Sequence, residues 1–300
     1  MDVDMWLVYR AFVVERHKIW ERRQAGEPGP WSLDPILASR KFTNVFRVLD
    51  PGSQFVITDL FPDVTGTDAL LRAVLYRHTN HPNVWRVLAD YWVGYPVLST
   101  GHPRLLAELS SILNTMKDSG QPVFNPAYLI YPGHVKGANK VDTILDRCFG
   151  FAAEMGETFT GASLTLEEKV GVLRGYPGIG DFIAMQVATD WNYGPWGRDE
   201  ENDFILAGPG ARRGAKHVFP SRKPEDAIRE ARRLWLKDPD APMLEERPPS
   251  LMDVQNTMCE FSKYVRYLGQ VPGRAYEPAH PGPQQPPVLP EHWQKEGTER

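Results

Sequence analysis

Apolar positions recur along this chain at the three-and-four spacing of an α-helix, not at the alternation of a strand. Phe42, Val45, Phe46 and Leu49 fall at i, i+3, i+4 and i+7, which predicts a helix over 42–49. Asp50-Pro51 then reads as an N-cap followed by proline at N1, opening a second helix to about Leu60. Further helices are predicted over 67–78, 83–92, 102–117 and 138–154. Thr165-Leu-Glu-Glu168 has the form of a capping box and starts a helix at 166–174. Helices over 181–190, 224–237 and 251–268 complete the set. Strand-like runs such as Tyr128-Leu129-Ile130 and Phe204-Ile205-Leu206 are too short to build a sheet. The expected class is all-α.

A glycine turn joins two of these helices in "RGYPGIGDFIAMQVATD", residues 174–190. Gly178 and Gly180 permit a tight backbone path and close approach of a phosphate. Ile179 between them can point inward and pin the turn. The amides opening the next helix then face outward at its positive end. Such contacts hold a nucleic-acid backbone without reading its sequence. The plain alternative is an ordinary turn between packed helices. With the apolar helix Phe182-Ile183-Ala184-Met185 following directly, the segment resembles the hairpin of the helix-hairpin-helix DNA glycosylase superfamily. That resemblance implies a helical fold of two lobes around a cleft, with Gly178, Ile179 and Gly180 on the DNA. The lyase-type members carry a Schiff-base lysine where this chain has Phe182. An acidic cluster, Asp199 to Asp203, occupies the region where their aspartate falls, but in a different surrounding sequence.

Two later segments carry candidate chemistry. In "NDFILAGPGARRGAKHVF", 202–219, Gly208, Gly210 and Gly214 are expected to form a compact loop crowded by Arg212, Arg213, Lys216 and His217. Freed amides and guanidiniums of this kind can cradle a phosphate or pyrophosphate. A solvated basic loop is the alternative. In "DVQNTMCEFSKYVR", Val254, Met258, Phe261, Val265 and Leu268 form an apolar stripe, and Asn256, Glu260, Lys263 and Tyr267 lie on the other face. That face is either solvated or lines a cleft, where Asn can read a base edge, Lys can meet a phosphate and Glu can take a proton. Asn44 and Arg47 share a face near 40–60, as a structural network or as part of a site. Trp85, Trp92, Trp191 and Trp196 can stack on bases or fill the core. His78 and His81 read as helix-end caps, not as metal ligands.

Composition narrows the picture. The 300 residues, 42% apolar and 24% charged, have the balance of an ordinary globular protein. No apolar run approaches the ~18 residues of a membrane span, and the first residues do not resemble a secretory signal. Cys148 and Cys259 stand far apart without a CxxC pair, so free thiols in a reducing cytoplasm are expected. The expected location is cytoplasmic, in the host cell if the chain is phage-encoded. The net charge of -4 argues against wholesale polyanion binding but leaves room for a local basic groove. The region from 271 to 300 is rich in proline and reads as a C-terminal tail to a 1–270 helical domain.

Four blocks in order, "KIWERRQAGEPGPWSLDPILASRKFTNVFRVLD", "LRGYPGIGDFIAMQVATD", "AGPGARRGAKHVF" and "DVQNTMCEFSKYVR", resemble the alpha-glutamyl/putrescinyl thymine pyrophosphorylase family, the phage amino acid:DNA transferases. A similar helical domain accompanies some 5-hydroxymethyl-deoxyuridine DNA kinases. The resemblance implies a glycosylase-like helical fold acting on double-stranded DNA. The implied substrate is 5-hydroxymethyluracil activated as its pyrophosphate, on a base turned out of the stack. An amino acid or polyamine would displace pyrophosphate at the 5-methylene. On that reading Arg212, Arg213 and Lys216 hold the pyrophosphate, with a divalent ion as a candidate assistant. Asp203 or Glu260 takes the amine proton, Lys263 stands beside them, and Asn44, Arg47, Gln255 and Asn256 recognise base or amine. No Walker loop is present, so the phosphate ester would come from a separate 5-hydroxymethyluracil DNA kinase. The rival readings are a monofunctional DNA glycosylase using Asp203, and a non-catalytic DNA-binding partner of that kinase.

Overall fold

The computed structural model describes residues 4–62, 64–81, 84–88, 103–125, 139–161, 163–198, 201–268 and 286–294. Their regular secondary structure is helical, and no strand forms among the described residues beyond an isolated bridge between Leu244 and Arg247. The chain divides into two compact units. Unit 1 combines Met1–Asp50 with Glu201–Val288, and unit 2 combines Pro51–Glu200 with Leu289–Arg300.

Unit 1 is built on α1 (Met5–Gln24), α2 (Pro35–Ser39), α10 (Pro209–Val218), α11 (Pro224–Trp235) and α12 (Leu251–Tyr267). Its core is aromatic. Tyr9 meets Phe261 at 5.3 Å and Trp235 at 6.1 Å, and Phe12 packs on Phe42, Phe261 and Tyr264. The Tyr9 hydroxyl lies 2.6 Å from Thr257 Oγ1, so the ring is buried without stranding its polar tip. α1 was not among the predicted helices. Its inward positions include Arg16 and His17 beside Phe12 and Val13, which breaks the apolar stripe. Asp4 starts it by accepting from Trp6 N at 2.9 Å.

Two segments depart from the predicted local structure. The glycine-rich segment expected as a loop is the helix α10, with Gly208 at the N-cap and Pro209 at N1. Its glycines serve packing: a Cβ at Gly210 would stand 2.2 Å from Cys259 Sγ, and one at Gly214 only 1.9 Å from Met258 O. α10 thus lies backbone to backbone on α12. Residues 42–49, predicted as a helix, do not form one. Only a 3-10 turn, Arg47–Leu49, appears. Instead of bonding i−4 carbonyls, the amides of Thr43, Asn44 and Arg47 donate to Glu260, Asp50 and Asp253 side chains. Phe42, Val45, Phe46 and Leu49 are buried as predicted, but from an irregular path.

Unit 2 contains a short helix Pro51–Phe55 (α3) running into a π-helical turn Val56–Leu60, where one continuous helix was expected. α4 (Gly66–Thr79), helical residues 84–88 (α5), α6 (Pro103–Asp118), α7 (Lys140–Gly161), α8 (Leu166–Gly175) and α9 (Asp181–Asn192) follow. The predicted helix at 83–92 lies partly outside the described residues. α4 packs on α7 and α9, and Gly156 admits Thr67 where a Cβ would approach its Cγ2 to 2.7 Å. Arg77 on α4 forks onto both oxygens of the fully buried Asp190 on α9. Pairing offsets the cost of burying either charge. Of the proline-rich tail, 286–294 is described. Leu289 and Trp293 are buried, and Trp293 meets Tyr193 at 6.1 Å.

His78 lies in this core as well. Its Nδ1 bonds Val74 O at 2.8 Å, so it is not a helix-end cap. Burial drives its pKa down from 6.5 to about 4. The unfolded chain therefore takes up a proton that the folded chain refuses. Stability is expected to fall by roughly 3 kcal/mol as pH drops from 6.5 towards 4. Urea unfolding across that range checks this, and His78→Gln should flatten the profile. In unit 1, Gly214→Ala is expected to cost ~1–3 kcal/mol, because overpacking two backbones outweighs the ~1 kcal/mol gained in helix propensity. The urea midpoint of the variant measures it.

Candidate functional site

The face of α12 that carries the candidate residues is neither solvated nor an open cleft wall along its length. It is a socket for the segment 41–50. Ser250 and Asp253 close a capping box at the helix start: Ser250 N and Oγ donate to Asp253 Oδ2 at 2.9 and 2.8 Å. The other oxygen, Asp253 Oδ1, accepts from Arg47 N at 2.7 Å. One turn on, Asn256 Nδ2 donates to Thr43 Oγ1 and Asn44 O, both at 3.0 Å. Glu260 Oε2 accepts from Thr43 N at 3.0 Å and lies 3.4 Å from Lys263 Nζ. Lys263 also donates to Lys41 O and sits 4.6 Å over the Phe42 ring.

The segment closes on itself at its far end. Asn44 N donates to Asp50 Oδ1 at 2.9 Å, and Asn44 Nδ2 donates to Leu49 O at 2.7 Å. The Arg47 guanidinium lies 3.1 Å from Asp50 Oδ2 and 3.4 Å from Asn256 Oδ1. Burial pushes the Asp50 and Asp253 carboxyls up, and Arg47 pulls both back. Sequence reasoning missed Asp253, although Ser-x-x-Asp before an apolar run is a capping signal.

α10 brings positive charge to the same helix. Its glycines face α12, and Arg212, Arg213, Lys216 and His217 are exposed. Arg212 Nε is tied back to Ala207 O at 2.7 Å. The fields of the charged groups meet at the Cys259 thiol. Burial and Glu260 raise its pKa, while Arg213, Arg47 and Lys263 lower it. Glu260 and Lys263 lie together on α12, Arg47 sits on the segment that α12 holds, and Arg213 is exposed on α10. Asp203 is exposed as well, in a segment where Leu251 N, at the start of α12, donates to Asn202 Oδ1. Gln255 is buried and donates to Leu206 O at 3.4 Å. Asn44, Arg47, Gln255 and Asn256 all have partners within unit 1.

The hairpin residues lie in unit 2, between α8 and α9. The capping box of Thr165 and Glu168 forms as the sequence predicts. Gly178 takes φ +86°, and a Cβ there would reach 2.3 Å from Arg147 Nε. Ile179 is buried and Gly180 is the N-cap of α9. Tyr176 anchors the turn against α7, 5.4 Å from Phe151. Arg174 and Asp181 pair across the hairpin mouth at 2.7 Å. Trp85 and Trp191 are buried, Trp196 meets Trp191 in a tilted ring contact at 4.4 Å, and Trp92 lies outside the described residues. Among the described residues no cluster of three His, Cys, Asp or Glu side chains can hold a metal ion, and no helix is long and apolar enough to cross a membrane.

Comparison with known proteins identifies the family. The family described as "5-hmdU DNA kinase, helical domain" matches residues 4–271, and the chain belongs to it. A "5-hmdU DNA kinase" of Bacillus phage SP10 is 25% identical over 239 residues. That alignment covers 72% of this chain and 36% of the kinase, so the chain spans about a third of that relative's length. No solved structure matches. The match is to the kinase-associated helical domain, not to the transferase family as such.

The socket makes a direct prediction. Asn256→Ala would strand Asn44 O and is expected to cost about 1–3 kcal/mol. Hydrogen exchange at the amides of Thr43 and Arg47 should accelerate in the variant while the amides of unit 2 keep their protection.

Proposed function

We propose that this member of the 5-hmdU DNA kinase helical-domain family works in phage DNA modification, as a transferase on pyrophosphorylated 5-hydroxymethyluracil in double-stranded DNA. The observation that carries the reading is the packing of α10 on α12 through Gly210 and Gly214. It fixes the exposed Arg212, Arg213 and Lys216 on the helix packed against the one that carries Glu260 and Lys263. In the proposed step the nitrogen of an amino acid or polyamine attacks the 5-methylene carbon. The bond from that carbon to the pyrophosphate oxygen breaks, and the glycosidic bond stays intact. Arg212, Arg213 and Lys216 hold the departing charge. Glu260, steadied by Thr43 N and Lys263, accepts the proton lost by the amine. Asp203 is the alternative proton acceptor. The hairpin at Gly178, Ile179 and Gly180 supplies sequence-independent grip on the backbone.

A second reading is a non-catalytic DNA-holding partner of the kinase. The bond from Thr43 N to Glu260 favours it, because that carboxylate already serves the fold. Nucleoside mass analysis separates the two. The full chain is incubated with duplex DNA bearing pyrophosphorylated 5-hydroxymethyluracil and a pool of amino acids and polyamines. The transferase yields a nucleoside heavier by one donor, with pyrophosphate released. Arg213→Gln should lower its rate by about 100-fold or more, the usual effect of losing one charge-stabilising donor. Binding without an adduct supports the holding role, and a released free base would restore the glycosylase.

A further inference from the structure

The positive charge of this acidic chain is concentrated in one helical hairpin. Residues 209–237 carry nine Lys and Arg against three Asp and Glu, a net of +6 in a chain of net -4. The α10 ridge holds Arg212, Arg213 and Lys216. Beyond it, the turn at 221–223 and the outer face of α11 enclose an open groove of about 580 Å³. Arg222, Lys223, Arg229 and Arg233 line it, and all are exposed. Two acids share the groove, Glu230 and the exposed Asp226, which leave its four cations a net +2. Glu230 is held by Arg233 at 2.7 and 2.9 Å, with Arg222 at 3.8 Å, so Lys223 and Arg229 carry the charge left over. Arg229 is steadied by a bond of 3.1 Å to Asp203 O.

We propose that this groove along α11 is a phosphate-backbone track for double-stranded DNA, separate from the hairpin of unit 2. A small phosphate ligand calls for a closed site with convergent donors. Here the cations lie on the turn at Arg222 and Lys223 and one helical turn apart at Arg229 and Arg233 on α11, an open array that suits a line of phosphates. Long exposed guanidinium and ammonium groups position such a backbone without reading bases. Because the remainder of the chain carries a net -10, the local field steers a polyanion towards this face. The inference rests on DNA being the substrate, as proposed above.

Fluorescence anisotropy with a short 5-hydroxymethyluracil duplex over a series of salt concentrations tests it. The variant Lys223→Gln/Arg229→Gln keeps the Glu230 pairs and changes only exposed residues. It is compared with Lys18→Gln/Lys117→Gln, which removes the same charge elsewhere. The groove variant should bind roughly 10- to 100-fold more weakly at moderate salt, and the slope of log K against log salt should shrink by about 1.8, at ~0.9 per phosphate contact. The control should match the wild type. If the wild type binds the duplex and the groove variant is indistinguishable from the control, the track is wrong while the DNA reading stands. If the wild type binds no duplex at any salt, both fail. Preference for an acidic polypeptide over the duplex would also overturn the assignment.

Discussion

Unit 1 depends on the missing side chains at Gly210 and Gly214. With no Cβ at either position, α10 rests directly on the backbone of α12 around Met258 and Cys259. Close helix contact leaves no room for side-chain adjustment, so the two helices behave as one rigid element. The basic residues of α10 and the polar row of α12 are therefore fixed with respect to each other. Any chemistry assigned to Arg213, Glu260 and Lys263 draws its geometry from that contact.

The polar row carries a second constraint. Asp253, Asn256, Glu260 and Lys263 hold an irregular backbone segment that would otherwise bury unpaired amides and carbonyls. Each side chain takes a specific atom of 41–50, so the register of that segment is set by side chains and not by a helical ladder. Polar groups so used can also serve a ligand at their exposed edge. Glu260 and Lys263 are partly accessible, with side chains 15% and 29% exposed, whereas Asn256 is committed inside.

Much of this was legible in the sequence. The hairpin, with its capping box, buried Ile179 and positive φ at Gly178, follows from local rules that tertiary packing does not override. The helices with clear apolar stripes, such as 102–117 and 224–237, appear nearly as predicted. The failures share a cause. α1 hides Arg16 and His17 on its inner side, so no stripe is visible. The pattern at 42–49 is helical, but its amides are claimed by Asp253 and Glu260 from more than two hundred positions away. At 208–214 glycine was read as loop freedom when it marked helix contact. The site residues were found as types, and their commitments were not, because partners distant in sequence leave no local signal.

The order of the chain adds a timing problem. Unit 1 begins with Met1–Asp50 and is completed only by Glu201–Val288, with the whole of 51–200 made in between. Tyr9 must find Thr257, a partner 248 residues later. At ribosomal speeds of about 5–20 residues per second, α1 emerges roughly ten to fifty seconds before α12 exists. During that interval Phe12, Val13 and Ile19 have no core to enter, while 51–200 can already collapse upon itself. α1 is thus made early and seated late, and its apolar residues stay open to chaperones until α12 leaves the ribosome.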